Sequence, residues 1–299
     1  MSKCLVTGGA GFIGSHVVSK LLQGNNEVVV IDNESAESND AFNWYEDHAE
    51  NHVVDIRDFD ACRPLFEGVE HVFHLAARSR IQLAMQNPLE CLETNYIGTY
   101  NMLECARQVG ARRFINSSTS SSYGLVNEPP LQESMQTDCL NHYSASKVGA
   151  ETLCHMYNNL YGLRTISLRY FNVYGPRQPL KGQYAPVIGL FEEQKKRGEP
   201  LTIVGDGEQR RDYTHVYDVA QANINAMMTN YSGIVVNIGT GKNYSVNEVA
   251  AFISDNTVNI PERPGEARET CANIERANLL LDWEPKITLE DYFDPDTYL

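Results

Sequence analysis

The fold is decided near the start of the chain, where residues 5–14 are LVTGGAGFIG. An apolar run leads into a cluster of glycines that opens a helical pattern. Gly8 permits a tight bend, Gly11 removes the Cβ that would block a pyrophosphate, and Gly14 lets the helix lie close to the strand. The helix N-terminus presents free N–H groups to phosphates. The stretch therefore predicts a strand, a turn and a helix that bind a dinucleotide.

A carboxylate follows at the distance expected for contact with the ribose of a dinucleotide. The apolar run Val28–Ile31 ends at Asp32, which lies 18 residues after Gly14, close to the ~20 expected. The negative charge of Asp32 favours NAD over NADP because it repels the 2′-phosphate, and the next cation along the chain is Arg57. The alternative is that Asp32 is only a turn residue at the end of a strand.

The composition argues against several classes of protein. The chain has 299 residues and a net charge of −15 that is spread along its length, which disfavours nucleic acid as a partner. Seven cysteines without a C-x-x-C pair argue against a disulfide framework or a zinc site. His71 and His74 are the nearest approach to a metal pair, and we expect no metal there. Because the first strand is predicted to begin by Lys3 and no apolar run reaches ~18 residues, we expect a cytoplasmic protein without a membrane span.

Short apolar runs alternate with helical patterns, such as Ile97–Val109 and Lys147–Tyr161. This alternation predicts a parallel sheet covered by helices on both faces. The predicted strands are Cys4–Thr7, Val28–Ile31, His52–Val54, His71–Leu75, Phe114–Asn116, Thr165–Arg169 and Val235–Ile238.

The predicted fold class is α/β, a Rossmann-type doubly wound parallel sheet with a smaller, discontinuous C-terminal substrate domain. After Tyr174 the segments become longer and richer in Gly and Pro, and strand and helix patterns return only for a short stretch. We assign residues 1–174 and 215–238 to the dinucleotide-binding domain, and residues 175–214 and 239–299 to the substrate domain. Ligands of such sheets bind beyond the carboxyl ends of the strands.

A phenol and an ammonium lie four residues apart in the sequence. Tyr143 and Lys147 belong to the segment YSASK, and this spacing places both side chains on one face of a helix. A nearby ammonium favours the phenolate, which brings a group of reference pKa about 10 toward the range of a working base. The charge of an oxidised nicotinamide would act in the same direction. Such a pair is common by chance, so an exposed helix face is the alternative interpretation.

Further motifs appear in a fixed order around this pair. Together with the glycine turn, they resemble the extended short-chain dehydrogenase/reductase family, and within it the nucleotide-sugar 4-epimerases of the UDP-glucose and UDP-N-acetylglucosamine type. The resemblance covers nearly the whole chain. It is carried by HLAA at 74–77, Asn95, the hydroxyl-rich segment 114–124, Tyr143 with Lys147, YFN at 170–172, GDGEQRRD at 205–212 and RPGE at 263–266.

The resemblance implies a role for each matched residue. Thr119 and Tyr143 match the catalytic hydroxyls, and Lys147 matches the helper that binds the nicotinamide ribose. The implied cofactor is NAD. Its contacts, carried over by motif, are Gly8, Gly11, Phe12, Ile13, Gly14, Asp32, Asn33, Asp55, Ile56, Leu75, Ala76, Ala77, Asn95, Ser117, Tyr143, Lys147 and Tyr170.

The implied substrate is a nucleotide sugar, in the first instance UDP-linked. Arginine suits its diphosphate because the planar guanidinium can bind phosphate oxygens in pairs. Solvated surface arginines are the alternative. A small residue at position 270 implies room for an N-acetyl group beside carbon 2 of the sugar. The contacts by motif are Arg80, Thr119, Asn172, Arg211, Arg263, Glu266 and Thr270.

The implied reaction inverts carbon 4 of a UDP-hexose through a 4-keto intermediate, and the candidate sugars are N-acetylglucosamine, glucose and glucuronate. Family dehydratases carry an Asp-Glu pair directly after the catalytic Thr, and decarboxylases carry a Glu at the second of these positions. This chain has Ser120 and Ser121 there, and serine is a poor acid at neutral pH. A dehydratase, a decarboxylase, a one-way 4-keto reductase and a noncatalytic NAD-binding sensor are the alternatives.

Two other features bear on partners. The resemblance implies a homodimer that packs through two helices, for which Ile97–Val109 and Lys147–Tyr161 are the candidates. Arg78 and Arg80 stand where epimerases more often have small or neutral residues. An extra guanidinium could bind a carboxylated sugar such as a uronate, or it could extend into solvent.

Overall fold

A computed structural model of the protein describes residues 1–36, 43–180, 186–262, 267–294 and 296. Strands and helices alternate within these ranges, as the apolar runs predict. The strands are β1 (Lys3–Thr7), β2 (Glu27–Asp32), β3 (Glu50–Val53), β4 (His71–His74), β5 (Arg113–Thr119), β6 (Thr165–Tyr170), β7 (Val173–Tyr174), β8 (Leu201–Val204), β9 (Arg210–Asp212), β10 (Thr214–His215), β11 (Ile234–Ile238), β12 (Asn243–Ser245) and β13 (Thr257–Ile260).

The helices differ widely in length. They are α1 (Phe12–Gln23), α2 (Phe59–Cys62), α3 (Ile81–Gln86), α4 (Pro88–Leu92), α5 (Gly98–Gln108), α6 (His142–Tyr161), α7 (Val187–Lys196), α8 (Val216–Met228), α9 (Val246–Ile253), α10 (Glu275–Leu281) and α11 (Leu289–Phe293). A single π-helical turn, Glu93–Ile97, joins α4 to α5. Within the described ranges, no helix combines the length and the apolar character needed to cross a bilayer.

Seven strands form the central sheet in the order β3-β2-β1-β4-β5-β6-β11, and every pair is parallel. Each of the seven predicted apolar runs overlaps one of these strands, and the runs ending at Val54 and Leu75 extend one residue beyond β3 and β4. From β1 the chain adds β2 and β3 on one side of the sheet, and it then returns to add β4, β5 and β6 on the other side. The switch point therefore lies between β1 and β4, and ligands of doubly wound folds bind at such a point. The predicted fold class, a Rossmann-type α/β sheet, is confirmed.

Successive residues of the strands point to opposite faces of the sheet. In β1, Val6 packs with α1 and α8 on one face, whereas Leu5 packs with α5 on the other. Both side chains are fully buried, and burying each contributes roughly 1.5–3 kcal/mol. The two apolar faces explain why the strands are continuous apolar runs in the sequence.

A smaller unit is built from strand pairs and three helices. Strand β8 pairs in parallel with β13, and β9 pairs antiparallel with β12. Helices α7, α9 and α11 enclose a separate apolar core that includes Phe191, Ile203 and Val249. Helix α10 instead packs Ala277 and Leu281 into the core beneath the large sheet. The assignment of domain boundaries stays a prediction.

Candidate active site

The glycine turn connects β1 to α1 with little space to spare. Gly8 has φ +70°, and a Cβ there would lie 2.7 Å from the backbone nitrogen of Ala76. A Cβ on Gly14 would lie 2.0 Å from the carbonyl oxygen of Gly8. A Cβ on Gly11 would meet only that same oxygen, at 3.3 Å. Packing therefore demands glycine at positions 8 and 14, whereas position 11 fits a backbone that approaches a phosphate closely.

Acidic and amide side chains follow the neighbouring strands β2 and β3. Oδ2 of Asp32 accepts a hydrogen bond from the Ala10 N–H at 3.1 Å, so the carboxylate adjoins the glycine turn. Burial raises the pKa of Asp32. Asn33 donates to Asp55 at 2.9 Å, and the Arg57 guanidinium lowers the pKa of Asp55 to about 2. These residues form the edge at which the sequence predicts the adenosine ribose, and the chemistry of this donor set fits that group.

A series of hydrogen bonds joins the end of β1, directly before the glycine turn, to the end of β4. The Ala76 N–H lies 3.2 Å from Oγ1 of Thr7, which lies 2.8 Å from Nδ1 of His74. Nε2 of His74 lies 2.9 Å from Oγ1 of Thr99, and that hydroxyl donates to the carbonyl of Asn95 at 2.6 Å. Burial lowers the pKa of His74 to about 3, so the ring is neutral. Hydroxyl groups occupy both ring nitrogens.

Asn95, expected at the cofactor, uses its side chain inside the protein. Its Nδ2 donates to the Arg78 carbonyl at 3.1 Å and to Oγ of Ser146 at 2.9 Å, and its Oδ1 accepts from the Arg78 N–H at 2.8 Å. Arg78 in turn forms an ion pair with Glu90 and donates to the carbonyl of Ser35 at 3.2 Å. Asn95 thus fixes the segment after β4 against α6, and its contact with cofactor stays a prediction.

The three predicted catalytic residues converge where β5 ends. Thr119 is the last residue of β5, and Tyr143 lies in the first turn of α6. Asn141 and Ser144 form a capping box that starts this helix and so fixes where the phenol lies. Thr119 and Tyr143 are joined by a side-chain hydrogen bond. Nζ of Lys147, one turn further along α6, donates to the backbone carbonyl of Ser117 at 2.8 Å.

The pKa of Tyr143 differs in direction from the expectation that the nearby Lys147 lowers it. Burial raises the pKa of Tyr143, and the hydrogen bond from Thr119 acts in the opposite direction. Burial also lowers the pKa of Lys147 to about 8. The expectation that Lys147 lowers the pKa of the phenol is wrong for these side chains alone, because burial is the largest influence and raises that pKa. The ammonium donates to the Ser117 carbonyl instead.

Sequence reasoning missed an ion pair directly behind these residues. Glu151, one turn after Lys147, accepts hydrogen bonds from Nε and Nη2 of Arg169 at 2.8 and 2.7 Å. Oγ of Ser118 donates to the same carboxylate at 2.5 Å, and the guanidinium lies over the ring of Tyr123, 4.8 Å from its centroid. The only signal in the sequence was the spacing of Glu151 from Lys147 on one helix face. Its partner on β6 is remote in the chain.

The other predicted cofactor contacts line the same edge of the sheet. Oγ of Ser117 lies 2.9 Å from the hydroxyl of Tyr170, which also accepts a hydrogen bond from Asn223. Ile56 packs against Gly98, where an added Cβ would lie 2.5 Å from its Cδ1. The predicted cofactor contacts in the glycine turn, at the start of α1 and directly after β4 are Gly8, Gly11, Phe12, Ile13, Gly14, Leu75, Ala76 and Ala77.

Three of the predicted substrate contacts lie near one another. Asn172 donates its side-chain amide to the carbonyl of Asp212 at 2.9 Å. Nη1 of Arg211, on β9, donates to the carbonyl of Arg210 at 2.9 Å. The Thr270 N–H donates to the same carbonyl at 3.1 Å, and Oγ1 of Thr270 is buried without a hydrogen-bond partner among the described residues.

The remaining predicted substrate residues are spread more widely. Arg80 lies directly before α3 and is half-buried. Arg263 and Glu266 lie outside the described residues. Arg210, whose role the sequence left open, forms an ion pair with Glu248 at 2.8 Å and contacts Asn243.

The chain matches known proteins over nearly its full length. Residues 4–239 match the model of the NAD dependent epimerase/dehydratase family. The chain is 38% identical to a putative UDP-glucose 4-epimerase of Methanocaldococcus jannaschii, over 96% of this chain and 94% of that protein. It is 34% identical to a UDP-glucuronate 4-epimerase of Thermodesulfobacterium geofontis, over 97% and 94%. Its fold superposes with a TM-score of 0.93 on the UDP-glucose 4-epimerase of Thermotoga maritima, solved with UDP-glucose, at 36% identity over 97% and 96% of the two chains.

Proposed function

This chain belongs to the NAD dependent epimerase/dehydratase family, and from that premise we propose that it inverts carbon 4 of a UDP-hexose. Membership of an NAD-dependent family confirms NAD as the expected cofactor. The glycine turn, Asp32 and Lys147 are the residues that would hold it. When bound, NAD supplies a reversible hydride acceptor for carbon 4 of the sugar.

One observation carries the proposal: Thr119, Tyr143 and Lys147 meet at the carboxyl end of β5, on the edge of the sheet that carries the glycine turn. Tyr143 takes the proton of the sugar 4-hydroxyl and later returns it. Thr119 shares a hydrogen bond with that phenol and so orients it for transfer. Lys147 is fixed by the Ser117 carbonyl, from which it can bind the nicotinamide ribose. Proton transfer by such a positioned group contributes roughly 10²–10⁴-fold in rate.

The residues after Thr119 favour epimerisation over the other reactions of the family. Ser120 and Ser121 form the start of a 3₁₀ turn that Oγ1 of Thr119 caps by accepting the Ser121 N–H at 3.1 Å. Neither serine can serve as the extra acid that elimination of water requires at neutral pH. A decarboxylase, a dehydratase, a 4-keto reductase and an NAD-binding sensor are the competing functions that the experiment below separates.

For the sugar, we propose UDP-N-acetylglucosamine and its galacto epimer, with UDP-glucose and UDP-glucuronate as alternatives. The small side chain of Thr270 supports an N-acetyl group, and its buried hydroxyl has no partner among the described residues. Arg80 is the feature that supports a uronate, because a guanidinium can bind a carboxylate in bidentate fashion.

We also propose that the protein is a cytoplasmic homodimer. All seven cysteines are free thiols, as a reducing compartment favours. Exposed apolar side chains lie along α5, the π-helical turn before it and α6; they are Tyr96, Ile97, Tyr100, Met156 and Leu160. A face of this kind is typical of a surface that a partner covers.

The experiment is proton NMR with mass analysis of the protein and NAD incubated separately with each of the three UDP-sugars. A new anomeric signal without a change of mass supports 4-epimerisation and identifies the sugar. Loss of water or of carbon dioxide indicates a dehydratase or a decarboxylase instead. A requirement for stoichiometric NADPH with a 4-keto sugar indicates a reductase, and no change in any tube favours the sensor. Turnover of UDP-glucose without the N-acetyl sugar contradicts the preferred substrate.

A further inference from the structure

We propose that the buried carboxylate of Asp212 is a positioning residue for the nucleotide-sugar pocket. This inference rests on the proposed function, because it concerns the residues assigned there to substrate binding. Asp212 is the last residue of β9 and follows Arg211 directly. Its side chain is fully buried. It acts through the backbone segments that carry the substrate contacts.

Four donors from two separate segments converge on this carboxylate. Oδ1 accepts hydrogen bonds from the Thr240 N–H at 2.8 Å and from the Thr240 hydroxyl at 2.7 Å. Oδ2 accepts from the N–H groups of Gly241 and Ala272, each at 3.0 Å. The side chain therefore ties β9 to the turn after β11 and to the segment before α10.

Two of the three joined segments, β9 and the segment before α10, carry a proposed substrate contact. Arg211 is the neighbour of Asp212 on β9, and Thr270 lies two residues before Ala272. Asn172 is attached as well, because its side-chain amide donates to the backbone carbonyl of Asp212 at 2.9 Å. Three residues that are far apart in the sequence thus share one anchor. Loss of the anchor is expected to loosen all three contacts together.

The arrangement calls for a carboxylate rather than an amide. Charge-assisted hydrogen bonds are roughly twice as strong as neutral ones, and here both oxygens accept two. An asparagine would present one NH₂ group, and in either orientation that group would face at least one backbone N–H. The packing leaves little room to adjust: a Cβ on Gly239 would lie 2.9 Å from Oδ2 of Asp212 and 2.5 Å from Cβ of Ala272.

The test compares Asp212→Asn with Asp218→Asn. Asp218 is a matched control, because it is a buried carboxylate whose Oδ2 accepts from the N–H groups of Lys286 and Ile287 at 3.0 and 2.9 Å. It ties a different segment to the start of α8. UDP and NAD affinities are measured by calorimetry, and kcat and KM are measured with the UDP-sugar that the wild type converts. Hydrogen–deuterium exchange follows residues 239–241 and 270–272.

We expect Asp212→Asn to weaken UDP binding by about tenfold or more, the equivalent of one charge-assisted hydrogen bond. The KM for the UDP-sugar should rise by a similar factor while kcat changes much less and NAD affinity is unchanged. Exchange should become faster in both segments. Asp218→Asn should leave UDP affinity, KM and exchange in these two segments unchanged, even if it lowers the unfolding temperature.

A second variant keeps the proposal falsifiable if Asp212→Asn does not fold. Thr240→Val removes the hydroxyl donor, together with its contacts to the Lys242 backbone, and keeps the three backbone donors to Asp212. It should therefore weaken UDP binding in the same direction but less. Unchanged UDP affinity in the folded variants, or an equal loss in Asp218→Asn, overturns the inference and leaves the proposed function standing. A wild type that binds no UDP and converts no UDP-sugar removes the proposed function, and the inference falls with it.

Discussion

The phenol of Tyr143 is the residue on which the proposed chemistry depends most. Replacing it by phenylalanine removes the hydroxyl that we propose takes the proton of the sugar 4-hydroxyl. We expect Tyr143→Phe to lower kcat by at least about 10²-fold and to leave the thermal unfolding temperature nearly unchanged. Product formation by NMR and a melting curve measure the two effects.

A second phenol on the same helix serves as the control for that prediction. Tyr157 lies 14 residues, about 21 Å, further along α6 than Tyr143, where it donates to Glu104 on α5 at 3.2 Å. Tyr157→Phe should therefore keep kcat while it costs some stability. Equal activity losses in the two variants would show that α6 tolerates no change, and the assignment of Tyr143 as the base would lose its support.

The lowered pKa of Lys147 predicts how the free energy of unfolding depends on pH. This pKa is about 8 in the folded protein and about 10.5 in an unfolded chain. Between these values the unfolded state binds a proton that the folded state does not, so the free energy of unfolding rises with pH. The gain is fully present above pH ~10.5 and absent below pH ~8, and it amounts to about 3 kcal/mol.

The measurement is chemical denaturation of the wild type and of Lys147→Met at several pH values. The wild type should gain stability relative to the variant as the pH rises from 8 to 10.5, by the amount stated above. A constant difference between the two proteins across this range would contradict the lowered pKa of Lys147. The variant should also be inactive, because it lacks the ammonium that we propose binds the nicotinamide ribose.

Sequence reasoning could predict candidate catalytic residues because their types and spacing are local signals. It could not identify what supports them. The ion pair between Glu151 and Arg169 joins α6 to β6 across 18 residues of chain, and a charged residue in a sequence does not reveal that it is buried. For the same reason, the expected lowering of the Tyr143 pKa is wrong, and burial raises this pKa instead. The desolvation that raises it arises only when β5 and α6 pack together.

At the scale of elements, Gly8 of the glycine turn can be compared with Gly110, which follows α5 and has nearly the same φ. Gly8 has φ +70° and Gly110 has φ +69°, but a Cβ at Gly8 would lie 2.7 Å from the Ala76 nitrogen, whereas one at Gly110 meets nothing within 4 Å. Backbone strain of about 1–2 kcal/mol is therefore common to both alanine variants. We expect Gly8→Ala to lose more stability than this and to weaken NAD binding at least about tenfold.

The comparison is made by calorimetric titration with NAD and by denaturation of both variants. Gly110→Ala should bind NAD like the wild type. If Gly8→Ala retains wild-type NAD affinity, the close approach of β1 and the end of β4 is not part of the cofactor site. Loss of NAD affinity in both variants would instead indicate a general effect of lowered stability.

The strands of the large sheet could be predicted because each is a short apolar run that two faces bury. The prediction for β5 ended at Asn116, whereas the strand continues through Thr119. Hydroxyl side chains do not signal burial in a sequence, and here Ser118 and Ser117 are satisfied by Glu151 and Tyr170, which are distant in the chain. The three- and four-residue strands of the smaller unit carry too few residues to form a recognisable pattern.

At the scale of the whole molecule, the exposed apolar face on α5 and α6 predicts a dimer. Leu160, on α6, is 64% exposed, and Leu279, on α10, is 78% exposed. A charge placed inside an apolar interface is costly because it must be desolvated. We expect the wild type to sediment at twice the mass of the chain, Leu160→Glu to sediment as a monomer, and Leu279→Glu to remain a dimer. A wild type that is monomeric at micromolar concentration contradicts the proposed homodimer.

The sequence of the C-terminal region does not reveal which of the two apolar cores its helix α10 joins. Residues 239–299 were assigned to a substrate domain from the change of character after β11. Helix α10 nevertheless contributes Ala277 and Leu281 to the core beneath the large sheet, and Trp283 donates to the backbone carbonyl of Asp218 on α8 at 2.9 Å. Two apolar residues on a seven-residue helix do not indicate which of two cores they join.

The central claim, reversible oxidation at carbon 4, is tested most directly with a UDP-hexose that carries deuterium at that carbon. The protein and NAD are incubated with this substrate in ordinary water, and the epimer is examined by NMR and mass spectrometry. Reversible oxidation predicts an inverted product that keeps its deuterium at carbon 4, because the hydride that leaves this carbon is the one that returns to it. An inverted product that has exchanged its deuterium with water, or the absence of any inverted product, would contradict it.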